Sequence, residues 1–218
     1  MKLDAKTLKI LKNFSDINQS IQIKSGNVLS TISGTKTILA KAKVADTFPT
    51  TFAIYDLSKL LSVLSLFQEP EIDFDKNQLV VSKDKNKVHY TYADPKTIVL
   101  PPEKEIKLPT TDVQFTLTQE MFTAVSKAMS ILSLPEMAVV GENGELKLCA
   151  IDSKNPSGDS YEVDLGVAES DFRVIFKNDN LKLIPGNYNV SVSSKGLSRF
   201  VGDNIEYFIA VESSSTFK

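Results

Sequence analysis

The opening stretch MKLDAKTLKILKNF, residues 1–14, decides how this chain is read. At 3.6 residues per turn, Leu3, Thr7, Leu8, Ile10, Leu11 and Phe14 fall on one side and Lys2, Lys6, Lys9 and Asn13 on the other. Asp4 supplies a side-chain acceptor for the free N–H groups of a first turn. A short amphipathic helix is predicted, with an apolar stripe to bury and a basic face to leave exposed.

The same plan recurs further along. Asp56 precedes a stripe of Leu57, Leu60, Leu61 and Leu64, with Lys59, Ser62 and Ser65 off it. Thr118 opens a third helix with Phe122, Val125, Met129 and Leu132 on its apolar side, and Phe176-Lys177-Asn178 reads as the start of a fourth. Starts at 4, 56, 118 and about 177 lie far enough apart for one supersecondary unit each, so the chain reads as four copies of a strand-and-helix unit.

Strand-like runs separated by turn signals fill the intervals. Ser20–Lys24, Val28–Ser33 and Lys36–Val44, divided at Ser25-Gly26-Asn27 and Gly34, predict an antiparallel meander, which Glu71–Phe74, Leu79–Ser82 and Val88–Tyr92 continue. PKTIVLPPEKEIKLP, residues 95–109, has four prolines and no sustained period, so it reads as an extended connector. It divides the chain into a first domain at 1–94 and a second at 110–218. Hairpin signals follow at Gly141–Gly144, Asn155–Gly158 and Pro185–Asn187.

Composition sets limits on function. No apolar run approaches the roughly 18 residues that span a bilayer, so a soluble cytoplasmic protein without a membrane partner is expected. Cys149 is the single cysteine, which rules out an intrachain disulfide. Net charge is −2, but residues 1–94 carry +3 and 95–218 carry −5, so a nucleic-acid partner has to meet a local basic face. Catalytic apparatus is hard to assemble from this chain. His89, the one histidine, alternates within a strand, and Glu71, Asp73 and Asp75 share a strand face that reads as solvated. No phosphate-loop, dinucleotide or zinc-protease motif occurs. An enzyme with an unfamiliar site would need convergent polar residues, for which the sequence offers no candidate.

Five segments in register carry a resemblance. Leu11-Lys12-Asn13-Phe14, Ala53-Ile54-Tyr55-Asp56-Leu57, Ala93-Asp94-Pro95, Pro185-Gly186-Asn187-Tyr188 and the ending Ala210-Val211-Glu212-Ser213 to Thr216 resemble, in order and over the whole length, the DNA polymerase processivity clamp of T-even-type tailed bacteriophages. The resemblance implies an α+β, two-domain sliding-clamp fold with antiparallel sheets outside and short helices lining a ring. It implies a homotrimer without catalytic residues, metal or cofactor, which encircles double-stranded DNA of any sequence and tethers the phage DNA polymerase. A clamp loader would place it on DNA in the cytoplasm of the infected host. In related phages such rings also serve late transcription, which adds late transcription factors and host RNA polymerase as partners.

Residue roles follow from the same resemblance. DNA would be faced by Lys2, Lys6 and Lys9, helped by Lys12 at their flank and by Lys59, Lys127, Lys177 and Lys182 from the other helices; the third helix departs from the pattern in having Lys127 alone. Subunits would join by pairing Asn86–Ala93, with His89, Tyr90 and Tyr92, against Asp159–Gly166, with Tyr161 and Val163. Partner peptides would enter an apolar pocket of Ile98, Val99, Leu100, Phe208, Ala210 and Val211. A β-rich virion or scaffold protein is the alternative of a different class, but shell assembly gives no reason for the clustered lysines of residues 1–14.

Overall fold

The computed structural model describes residues 1–217. The chain divides into two compact units, Met1–Glu105 and a second beginning at Ile106. The first holds helix α1 (Ala5–Ile17), strands β1 (Ile21–Ile23), β2 (Gly26–Ile32), β3 (Ile38–Phe48) and β4 (Phe52–Ile54), helix α2 (Leu57–Leu64), and strands β5 (Glu71–Phe74), β6 (Gln78–Lys83) and β7 (Asn86–Thr91). The second holds β8 (Val113–Leu117), α3 (Gln119–Leu132), β9 (Glu136–Glu142), β10 (Glu145–Ile151), β11 (Tyr161–Val167), β12 (Phe172–Lys177), β13 (Tyr188–Ser193), β14 (Leu197–Val201), β15 (Ile205–Ala210) and β16 (Thr216–Phe217).

The helices form where the caps and stripes place them. The Asp4 carboxylate accepts from the Lys6 N–H at 2.8 Å, and Asp56 does the same for Lys59 at 2.9 Å. Thr118 caps α3 through the Met121 N–H at 3.2 Å, and Ser133 ends that helix in the left-handed conformation. α1 buries Thr7, Leu11, Phe14 and Ile17, and α2 buries Leu57, Leu60 and Leu64. Removing a Leu or Phe side chain of this kind from water stabilises by about 1.5–3 kcal/mol. The two helices pack on each other, and α1 also lies on β2 and β3.

Within each unit the strands pair antiparallel, but the meander expected at the start is not what forms. β1 leaves β2 and pairs with β4, setting Ile21 opposite Ile54 and Ile23 opposite Phe52, while β2 pairs with β3. The bend at Ser25 and the positive φ of Gly26 (115°) turn the chain out of a hairpin path between β1 and β2. The later strands do not extend that sheet either. β5, β6 and β7 make a separate three-stranded sheet with β7 at one edge. In the second unit one sheet runs β11-β10-β9-β12-β16, and β8, β13, β14 and β15 pair in the order β8-β13-β14-β15.

The fourth helix is also absent. Asn178–Asn180 is a single 3-10 turn, and Lys177 before it makes no side-chain cap. Only seven residues separate Lys177 from Pro185, and Leu181 and Leu183 are buried in alternation instead of at helical spacing. Tyr188 and Tyr207, at ring centroids 6.0 Å apart, fix this segment: the Tyr188 hydroxyl donates to the Ile184 carbonyl and the Ile184 N–H donates to the Tyr207 oxygen at 3.1 Å. The repeat is therefore three helices and one turn.

Candidate nucleic-acid interface

Residues on α1 rotate by about 100° each, so the buried set Thr7, Leu11, Phe14 and Ile17 fixes which side faces away. Lys9, Lys12 and Asp16 lie opposite that set, and Lys6 stands to its side; all three lysines are exposed. This revises the expected face, in which Lys12 was the flanking residue. Lys2 precedes the helix, and its ammonium meets Glu69 at 3.1 Å. Among the described residues no carboxylate pairs with Lys6, Lys9 or Lys12, so their ammonium groups are available to an outside anion. Lys9 and Lys12 stand at a groove of about 1060 Å³ between α1 and α2, whose apolar lining includes Leu3, Leu8, Leu61 and Phe67.

The other lysines are less alike. Lys59 on α2 and Lys127 on α3 are exposed and unpaired among the described residues. Lys177 is exposed but bonded to Glu212 at 2.9 Å, a contact that raises its pKa. Lys182 is half-buried in the irregular stretch before Pro185, and with no fourth helix neither it nor Lys177 sits on a helix face. On α3 the buried residues are Val125, Ala128 and Met129, whereas Leu132, expected on the apolar side, is 37% exposed and Ile131 67%.

The two segments expected at a subunit junction are both sheet edges, β7 and β11. Their side chains do not all point outward. The Tyr90 hydroxyl donates to the Asp56 carbonyl at 2.8 Å, and burial, then the Asp56 carboxylate, raises its pKa. Tyr92 stacks on Phe52 at 5.2 Å with its hydroxyl buried, and burial, then Asp75, raises its pKa. Both rings are committed to their own unit. His89 is exposed beside Lys87 and Thr91, Tyr161 is 37% exposed and Val163 half-buried. The expectations passed over the alternate residues of these strands, Lys87 on β7 and Glu162 and Asp164 on β11, whose signal was the parity of the strand.

Of the expected peptide-pocket residues, Val99 and Leu100 are 39% and 38% exposed and Ile98 is half-buried. The Asn18 side-chain amide holds this stretch through the Val99 carbonyl at 3.5 Å. Phe208 is buried under the Arg199 guanidinium, 5.7 Å from its ring centre, and Ala210 and Val211 are half-buried. Cys149 is buried with Ala138 and Ile175, and burial pushes its thiol up to about 11. Among the described residues no three His, Cys, Asp or Glu side chains come together as a metal site, and no helix is long and apolar enough to cross a membrane.

Short capped helices and antiparallel sheets in two units define a class of fold, that of the DNA clamps. The PCNA of A. fulgidus, solved with the C-terminal region of FEN-1 bound, superposes with a TM-score of 0.71 at 12% identity over 96% of each chain. The β chain of DNA polymerase III from Streptococcus pneumoniae gives 0.68 at 14% identity, covering 98% of this chain and 64% of that one. Sequence narrows the class to one family. The profile described as DNA polymerase processivity factor matches residues 2–100, and that described as gp45 sliding clamp, C terminal, matches 114–213. The sliding clamp of Vibrio phage KVP40 is 36% identical over 97% of this chain and 99% of its own length, and that of Enterobacteria phage T4 is 29% identical over 99% of both. The chain belongs to the bacteriophage sliding-clamp family and acts as a DNA polymerase processivity factor.

Proposed function

We propose that the protein closes as a homotrimer, head to tail, around double-stranded DNA and there holds the replicative DNA polymerase of its phage. The observation that carries this reading is the family match along nearly the whole chain, joined to the unpaired lysine side of α1. Contacts from Lys6, Lys9 and Lys12, with Lys59 and Lys127, go to phosphate oxygens. Phosphate contacts carry no base information, which suits a ring that must slide over any sequence. Long, solvated lysines hold the duplex loosely, so retention comes from topology. Lys2, Lys177 and Lys182 play a smaller part, since Lys2 and Lys177 are engaged by Glu69 and Glu212 and Lys182 is half-buried.

A closed ring needs an outside agent to load it, and a clamp loader of the phage fills that role in the cytoplasm of the infected host. The apolar stretch Ile98–Leu100, in which Val99 and Leu100 are exposed, is a docking point for terminal peptides of partners: the polymerase first, and late transcription factors with host RNA polymerase after it. The protein works as a tether and carries out no chemistry of its own. Molecular mass in solution over a concentration series tests the assembly. A rise to three times the 24.0 kDa chain is expected at micromolar concentration, and a mass that stays at one chain, or stops at two, overturns the ring.

A further inference from the structure

The groove between α1 and α2 lies wholly within the first unit, and phosphate contacts leave most of it unmatched. At about 1060 Å³ it has the size of a site for a small organic molecule. The Leu57 N–H donates to the Gln19 carbonyl at 2.8 Å, which sets the start of α2 beside the end of α1. At the opposite end the Ile72 N–H donates to the Met1 carbonyl at 2.8 Å and the Lys2 ammonium meets Glu69 at 3.1 Å, so the stretch after α2 returns to the beginning of α1. That end of the groove is apolar. Leu3, Leu8, Phe67 and Pro70 line it half-buried, with Leu64 and Ile72 buried beneath. A partly exposed apolar surface rimmed by charge is the mark of a ligand groove.

Charge decides what kind of apolar molecule fits. Three carboxylates and three ammonium groups stand at the rim. Asp4 caps α1 through the Lys6 N–H at 2.8 Å, Glu69 holds Lys2, and Asp16 is engaged as well. The Ser15 and Ser62 hydroxyls spend their protons on the carbonyls of Lys12 and Ser58, at 2.7 and 2.9 Å. Lys9 and Lys12 are left as the unpaired charges of the groove among the described residues, and they call for an anion. Duplex DNA supplies phosphate to them but nothing apolar to the floor, because its bases are stacked inside the helix. From Ala5 to Lys12 α1 rises about 10 Å, which an extended chain of about ten carbons spans. Leu3 and Phe67 lie beyond Ala5 at the far end of that line.

We propose that the groove binds an amphipathic organic anion, an unbranched apolar chain with a carboxylate or similar head, the head on Lys9 and Lys12 and the tail towards Leu3 and Phe67, and that this ligand and duplex DNA exclude one another. The exclusion rests on the DNA placement above; the binding does not. Calorimetry without DNA reads the binding, with decanoate as the probe. Octanoate binds about fifteenfold more weakly, at about fourfold for each methylene left in water. Decanol, which keeps the tail and lacks the charge, binds about fivefold more weakly, the reach of an exposed ion pair, and decylammonium more weakly still. Lys9→Gln with Lys12→Gln brings decanoate down to the level of decanol. Ser62→Trp, at an exposed position on the groove wall, fills the space and weakens decanoate by at least about tenfold, and an unfolding midpoint equal to that of wild type shows the variant to be folded. Absence of decanoate binding, equal affinity for decanoate and decanol, or decanoate affinity that survives Ser62→Trp overturns the site. On a short duplex at low salt, saturating decanoate lowers the affinity of the wild type for DNA. Decanoate that binds and leaves duplex affinity unchanged overturns the exclusion, and the salt slope of the lysine double variant, taken without decanoate, shows whether the DNA placement has failed with it.

Discussion

Exchanging Lys9 and Lys12 for Gln removes two cations that stand opposite the buried stripe of α1 and have no carboxylate partner among the described residues. Both side chains are exposed, so the fold is left intact. On duplex DNA each phosphate contact contributes about 0.9 to the slope of log affinity against log salt. If the duplex touches one subunit of the ring at a time, the slope falls by about 2; if all three subunits share it, by about 5. Between 50 and 200 mM salt that is a change of about tenfold in the first case and about a thousandfold in the second. Fluorescence anisotropy on a short linear duplex over a salt series reads it directly. Lys2→Gln is the control, because the Lys2 ammonium is held by Glu69 at 3.1 Å, and its slope should move far less. A double variant with the wild-type slope would refute the placement of DNA against α1.

The peptide site and the buried thiol make two further claims. Val99→Asp puts a carboxylate into the exposed apolar stretch, and the affinity for a terminal peptide of the polymerase should drop by at least about tenfold, as for a buried anchor, with DNA retention unaltered; unchanged peptide affinity by calorimetry removes the site. Cys149, with its thiol at about 11 because burial disfavours the thiolate, is ionised in about one molecule per thousand at pH 8. Maleimide labelling of the native protein should then be slow, should quicken about tenfold per pH unit towards pH 10, and should become fast in urea, whereas rapid native labelling at pH 8 contradicts the burial.

What could be read from the sequence was local. Asp4, Asp56 and Thr118 announce three helices because a cap needs one side chain and a nearby N–H, both within a turn. The turn after Lys177 carries similar polar residues, but a helix also needs length and a stripe, and Pro185 with the alternating Leu181 and Leu183 denies it both. Partner choice among strands was not legible. That β1 joins β4 depends on Ile54 and Phe52 being brought back from thirty residues away. The rotation of α1 was read from six apolar positions, of which Leu3, Leu8 and Ile10 are only half-buried. This gave Lys12 a lesser place than it has. On β7 the expected residues were His89, Tyr90 and Tyr92, yet Tyr90 faces inward with Leu79, and the exposed Lys87 on the same face as His89 was passed over. Alternation gives two faces and does not say which one a sheet will cover.

Holding DNA by topology is the central claim, and it is tested most directly by comparing release from closed and open substrates. Protein placed on a nicked circular plasmid by the loader complex with ATP is washed in 1 M NaCl before and after a single restriction cut. At that salt phosphate contacts are screened to about 3 Å, so the account predicts that the protein stays on the circle through the wash and leaves within seconds to minutes once the DNA has ends. Equal loss from circular and linear DNA, or equal retention on both, would contradict it.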